Sequence, residues 1–275
     1  MPKFKPILFN TEMVRAILEG RKTQTRRLLK PKFRPDEAGF QIITNAHTGE
    51  FVRVEYYDEH ENETRWMPQP FEVGDTLWVR ETWYDPDPER VYVPVLYKAD
   101  FPIHWDADQT EHGEPVDLKA EDCRWKPSIH MPKGFARIFL RVKDVRVERL
   151  QSIGYFDSLN EGIAHLYDNL SDAEYENWAS RSGYHGKKKS EWPYINYLWH
   201  GHFGSCGTGN RISDAWPYQF SSYEDPRGSF SSLWNSTVHL KDWDKYGWDA
   251  NPWVWVIEFE RIEKPDHWFL EVGKS

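Results

Sequence analysis

The clearest periodicity near the start of the chain lies over residues 10–20. Met13, Val14, Ile17 and Leu18 fall on one face at helical spacing, Asn10 or Thr11 caps the first turn, and Glu12 stands where the helix dipole favours an acid. Gly20 ends the pattern. Further on, residues 71–83 alternate after a Gly74-Asp75 turn, with Leu77 and Val79 on one face and Trp78, Arg80 and Thr82 on the other, which predicts a strand. Residues 136–150 form the longest β-branched alternation and predict a central strand bent near Lys143 and Asp144. Residues 253–262 alternate Trp253, Trp255, Ile257 and Phe259 against Val254, Val256, Glu258 and Glu260, and predict a closing strand.

Between these stretches the pattern is weaker. Residues 40–43 and 51–54 flank a polar turn and predict a hairpin, and residues 91–95 and 96–98 are short strand candidates. Residues 155–162 predict a short helix closed by Gly162, with Glu161 in its last turn at the unfavourable end of the dipole. Ser171 and Glu174 make a capping box for a helix through about Arg181, and residues 230–238 predict a helix with Phe230, Leu233 and Trp234 inward. Pro127 and Pro132 read as holding Lys126, Ser128 and His130 in an extended, positioned loop. The expected architecture is α+β, a small β-barrel with short flanking helices and large insertions.

Charge sharpens this picture. The chain of 275 residues carries −9, yet residues 15–34 hold eight Lys or Arg against Glu19, a local +7 that leaves −16 for the rest. The run from Lys22 to Arg27 is too poor in apolar residues for a core strand and reads as an anion or nucleotide site on an acidic protein. The overall acidity argues against general duplex binding, which needs many cations along its footprint. Fifteen tryptophans and a mean hydropathy of −0.79 concentrate the apolar surface in large rings, which pack cores and also stack bases. With two cysteines, no transmembrane run and no apolar leader, a reducing, cytoplasmic setting without membrane association is expected.

The segment GRKTQTRR, Gly20 to Arg27, directly after an amphipathic helix, resembles the G-x-K-x-x-[E/T]-x-R signature of ASCH domains, relatives of the PUA fold. The turn and strand from Gly74 to Arg80, the strand over 137–150, the helix around Glu161 and the strand over 253–262 follow in that family's order. Glu81-Thr-Trp83, Tyr97 to Asp100, Lys126 to Pro132 and Asn251-Pro-Trp253 are similar to a long phage- and prophage-associated subgroup. The resemblance implies a single PUA-like domain over 1–275, with a core near 4–34, 71–83, 125–163 and 230–262 and insertions at 35–70, 84–124 and 164–229. It also implies a bacterial host cell if the protein is phage-encoded.

Most members of that family are regarded as RNA or nucleotide binders, which implies recognition of a nucleobase, nucleoside or single-stranded RNA without catalysis. One small branch is an amidohydrolase that removes acyl groups from N4 of modified cytidine. Carried over by position, its lysine, threonine and glutamate fall on Lys22, Thr25 and Glu161, with Arg27 as the signature's final arginine. In that chemistry Lys22, disfavoured as a cation by Arg21, Arg26 and Arg27, would activate the Thr25 hydroxyl, and Glu161 would donate a proton to the departing amine. A regular strand would point Lys22 and Thr25 to opposite faces, so a turn or bulge after Gly20 is required. A protein-interaction role is the further alternative.

The expected pocket wall consists of Arg80 and Glu81, the rings of Trp83 and Trp125, and Ser128, His130 and Asn251, with Arg80 pairing Glu81 or a ligand oxygen. His200, His202 and Cys206 form a weak zinc candidate. No cofactor is expected, since no dinucleotide or phosphate-loop fingerprint occurs.

Overall fold

The computed structural model describes residues 3–29, 40–48, 51–58, 63–86, 95–101, 103–105, 116–118, 123–165, 172, 176, 180, 188, 194–195, 222–223, 225–266 and 268. Its strands are β1 (Phe4–Leu8), β2 (Gln24–Leu28), β3 (Phe40–Thr44), β4 (Phe51–Asp58), β5 (Glu63–Met67), β6 (Thr76–Arg80), β7 (Trp83–Tyr84), β8 (Leu96–Tyr97), β9 (Ile103–Trp105), β10 (Val116–Leu118), β11 (Phe139–Arg149), β12 (Tyr194–Ile195), β13 (Ser222–Tyr223) and β14 (Trp253–Ile262). The helices are α1 (Thr11–Leu18), α2 (Tyr155–Asn160), α3 (Pro226–Thr237) and α4 (Trp243–Tyr246). The architecture is mixed α+β, mostly strands in open sheets with a few short helices.

The main sheet has five strands in the order β1-β6-β11-β14-β2. β1 pairs with β6 in parallel, and β6 with β11 antiparallel. The expected barrel closure is not seen among the described residues: β1 and β2 are the two edges of an open sheet. Contacts divide the chain into two compact units, 1–23 with 70–145 and 258–275, and 24–69 with 146–257; β11 and β14 each supply residues to both.

In the first unit α1 forms as its sequence requires. The Asn10 side chain accepts from the Met13 N–H at 2.8 Å, Val14, Ala16 and Ile17 are buried, and Gly20 takes a φ of +77° to end the helix. Arg15 fixes this helix to a short 3-10 turn over Lys98–Asp100, donating from Nε to the Ala99 carbonyl at 3.0 Å and from Nη2 to that of Phe101 at 2.9 Å. Gly74 turns into β6 at φ +89°. Asp75 locks that turn: its carboxylate accepts from the Lys3 and Glu72 backbone N–H groups, both at 3.0 Å, and lies 2.8 Å from Lys5 Nζ. The core here joins Trp78, Trp83, Met131, Ala136, Phe139 and Trp268.

Lys126 to His130 departs from its expected extended form, because Ser128–His130 is a 3-10 turn and Lys133–Phe135 a second. Each proline stands just before its turn, where φ is preset and no helical N–H is lost, and two i to i+3 bonds close each turn.

In the second unit β3, β4 and β5 form an antiparallel sheet, so the expected hairpin acquires a third strand. α2 ends with Glu161 at its C-cap and Gly162 at φ +87°. α3 starts four residues earlier than expected, because Asp225 caps it and Pro226 opens its first turn, and it buries Phe230, Leu233 and Trp234. Asp172, Glu176 and Ser180, the described residues of the helix expected over 171–181, are helical. Residues 91–94 of the expected strand fall outside the described residues.

Candidate functional site

In the polar run after Gly20, Lys22 and Gln24 to Arg26 are buried, and the second half of the run is a strand, contrary to the expectation of a non-core segment. Gln24, Thr25 and Arg26 of β2 are 1%, 2% and 4% exposed, so both faces of the strand are covered. The physical reason lies in Arg26, whose charge is met inside the second unit. Its Nη1 donates to Glu161 Oε1 at 3.0 Å, and its Nη2 reaches Glu148 Oε2 at 3.2 Å and Asp157 Oδ2 at 3.3 Å. Arg146 supports the same carboxylates, with Nε 2.6 Å from Glu148 Oε1 and Nη2 3.9 Å from Asp157 Oδ2. The Arg26 guanidinium lies 5.8 Å from the ring centre of Phe230 on α3.

Glu161 is therefore a buried, ion-paired carboxylate rather than an exposed acid at a helix end. Burial pushes the Arg27 guanidinium below its ordinary pKa, while the Glu161 charge pulls it back. One polar atom is left over: Nε of Arg26 is buried and has no acceptor among the described residues. Buried donors are almost always satisfied, so an orphan in such a network calls for a reason. Asn251 serves the turn before β14. It takes φ +45°, its side-chain oxygen accepts from the Gln151 N–H at 2.9 Å, and its carbonyl accepts from Arg149 Nη1 at 3.1 Å.

The remaining expected residues belong to the first unit. Lys22 is 2% exposed, turned back on the end of α1 by a bond from its N–H to the Ala16 carbonyl at 3.0 Å, with Nζ 5.7 Å from the Phe9 ring centre. Glu81 is buried and pairs with Arg137 rather than Arg80, through Nε to Oε1 at 2.9 Å and Nη2 to Oε2 at 3.0 Å. Arg137 also binds Asp100, at 2.6 and 2.9 Å, and lies over the Tyr97 ring at 4.0 Å. Burial drives the Glu81 carboxyl above its ordinary value against the pull of Arg137. The Arg137 guanidinium is held above its own by the two carboxylates, which outweigh its burial.

Arg80 donates from Nη2 to the Ile129 carbonyl and lies 5.6 Å from the Trp78 ring centre. Trp83 is 5% exposed, with Lys126 Nζ 4.6 Å from its ring centre and Phe135 edge-on at 5.0 Å. Trp125 is half-buried against Phe101 and Tyr84. Ser128 is half-buried and His130 exposed on the 3-10 turn.

Sequence reading passed over Arg137, Glu148 and Asp157, and gave Arg26 only the part of a neighbouring charge. Arg137 left a trace: an arginine between Ala136 and Ile138 on a buried approach to a strand has to meet a carboxylate. Its partner, 56 residues away, left none. Among the described residues no group of three or more His, Cys, Asp or Glu could hold a metal ion, and His200, His202 and Cys206 lie outside them. Set against models of known families, curated proteins and solved structures, the chain matches none.

Proposed function

We propose that this protein recognises a nucleobase or nucleoside, free or in a short single-stranded RNA, without breaking a bond. The observation that carries this reading is the buried Arg26–Glu161 pair with its orphaned Nε donor. A guanidinium N–H beside a carboxylate offers a donor next to an acceptor, the complement of a base edge such as that of cytosine, with its amino group beside ring acceptors. Thr25, buried on the same strand, adds a hydroxyl able to donate or accept. The ASCH-type, PUA-like resemblance is part of the proposal. It draws support from the order α1, left-handed Gly20, the Lys22 to Arg27 run, β6 after Gly74, β11, α2 with Glu161, and β14.

Calorimetric titration with the four ribonucleosides at low salt tests it. One of them should bind, and Glu161→Gln and Thr25→Ala should each weaken it at least tenfold while circular dichroism shows both variants still folded at the titration temperature. Absence of heat for all four overturns the reading.

A second reading, hydrolysis of an acyl group from N4 of a modified cytidine, draws support from the burial of Lys22, since that chemistry asks for a lysine out of water. Against it, Glu161 is engaged as an acceptor by Arg26, whereas that chemistry asks it to donate. Release of acid from N4-acetylcytidine, lost in Lys22→Ala, would favour this second reading.

A further inference from the structure

The first unit carries a second set of cations, arranged differently from the rest. Arg26, Arg137 and Arg146 end on carboxylates; Arg80, Lys126 and Lys133 have none within ion-pair distance among the described residues and lie over aromatic rings, Arg80 also donating to the Ile129 carbonyl. Trp78 and Trp268 pack at 6.4 Å between ring centres. Arg80 stands 5.6 Å from the Trp78 centre, Lys133 lies 5.1 Å from that of Trp268 and 5.5 Å from that of Phe4, and Lys264 approaches Trp268 at 5.6 Å. Lys126 continues the group over Trp83, its backbone paired with that of Trp83 at 2.7 and 3.2 Å.

The tryptophan rings are almost wholly buried, so the cations are held on a firm aromatic floor while Lys126 itself stays exposed. Two N–H donors at the root of this surface, Nε of Arg80 and Nε1 of Trp83, are buried and without acceptors among the described residues. Trp83 is more than nine-tenths buried. Fixed positive charge with spare donors, and no carboxylate beside it among the described residues, is the counterpart of an anion rich in acceptor oxygens. Beside it the turn exposes Ile129, at 58%, and the His130 imidazole, which offer apolar and stacking surface that a simple inorganic anion would not use.

We propose that this surface binds the phosphodiester backbone of a single-stranded nucleic acid, with Arg80, Lys126 and Lys133 each taking a phosphate and His130 meeting a base. A short single strand fits better than a duplex because three or four cations on a chain of net charge −9 cannot match a duplex footprint. The inference shares its ligand class with the reading above but rests on different residues. A free nucleoside, lacking phosphate, would ignore this surface.

The test is fluorescence anisotropy of the full chain with a labelled single-stranded RNA of about a dozen nucleotides, within the range one such groove covers. Affinity should fall linearly with salt on logarithmic axes, and Lys126→Gln and Lys133→Gln should each reduce that slope by about 0.7. Both side chains can be changed without opening the core. Nucleoside calorimetry should be unmoved by either substitution. Four results would overturn the proposal: no oligonucleotide binding at low salt, an unchanged slope in the double variant, equal competition by polyglutamate, or tighter binding of duplex. Nucleoside binding without RNA binding would sink this surface alone. RNA binding that depends on Lys126 and Lys133, without nucleoside binding, would sustain it and remove the Arg26–Glu161 reading.

Discussion

Arg137 grips Glu81 through two parallel hydrogen bonds, at 2.9 and 3.0 Å, and Glu81 is 1% exposed. Removing one member of such a pair strands the other, so Arg137→Ala should destabilise the protein by about 3–5 kcal/mol. Because burial already holds the Glu81 carboxyl above its ordinary value, the pH dependence has a definite sign. The raised folded pKa makes Glu81's contribution complete below its unfolded pKa, and it is lost as pH rises through the folded one. Urea unfolding of Arg137→Ala should therefore show a midpoint that rises as pH falls from neutral toward 5. A midpoint that falls over that range would contradict the assignment.

Asp75 has the opposite sign. Burial works to raise its pKa, but the Lys5 ammonium and the backbone N–H groups of Glu72 and Lys3 together hold it below the ordinary carboxylate range. Its contribution is present above the unfolded pKa and lost as pH falls through the folded one. Asp75→Asn should cost about 1–3 kcal/mol at neutral pH, and the gap from wild type should narrow in acid as the wild-type carboxyl becomes protonated. Parallel acid-unfolding curves for the two proteins would disprove this.

The three carboxylates around Arg26 should not be equivalent. Glu161 is 3% exposed at its side chain, while Glu148 and Asp157 are 24% and 30% exposed and share Arg146. Solvent screening leaves a partly exposed pair worth less than about 1 kcal/mol, so Glu148→Gln and Asp157→Asn should melt close to wild type. Arg26→Met, which removes the hydrogen-bonded guanidinium from the buried Glu161 carboxylate, should unfold far more easily, by about 3–5 kcal/mol. Equal losses in all three variants would show that the network acts as a rigid whole.

Gly20 lies at φ +77° with nothing within 4 Å of where a Cβ would stand. Gly20→Ala should therefore cost only the left-handed backbone penalty, about 1–2 kcal/mol, and Gly20→Asn less than that. Thermal melts of the two variants check the order.

Local chemistry alone determined several elements. The Asn10 cap, the stripe of Val14 and Ile17, and Gly20 specify α1; Gly74 and Asp75 start β6; the β-branched run specifies β11; Gly162 closes α2. Each is legible because its cause lies within a few residues: a capping oxygen, a period, or a positive φ. The long alternation of β14 was legible on the same grounds, even though residues on both its faces proved buried.

What tertiary structure decided rests on partners distant in sequence. The run from Lys22 to Arg27 looked like surface because buried charge is costly without a partner, and no rule of spacing reveals that Arg26 finds Glu161 135 residues later. Glu81 looked like half of a pair with its neighbour Arg80, yet geometry gave it to Arg137 on the approach to β11, whose planar fork matches a carboxylate from the side. Whether the strands closed into a barrel was also beyond the sequence: alternation tells each strand which residues to bury, but not which strand lies beside it. Strand order set by the whole chain leaves β1 and β2 as edges.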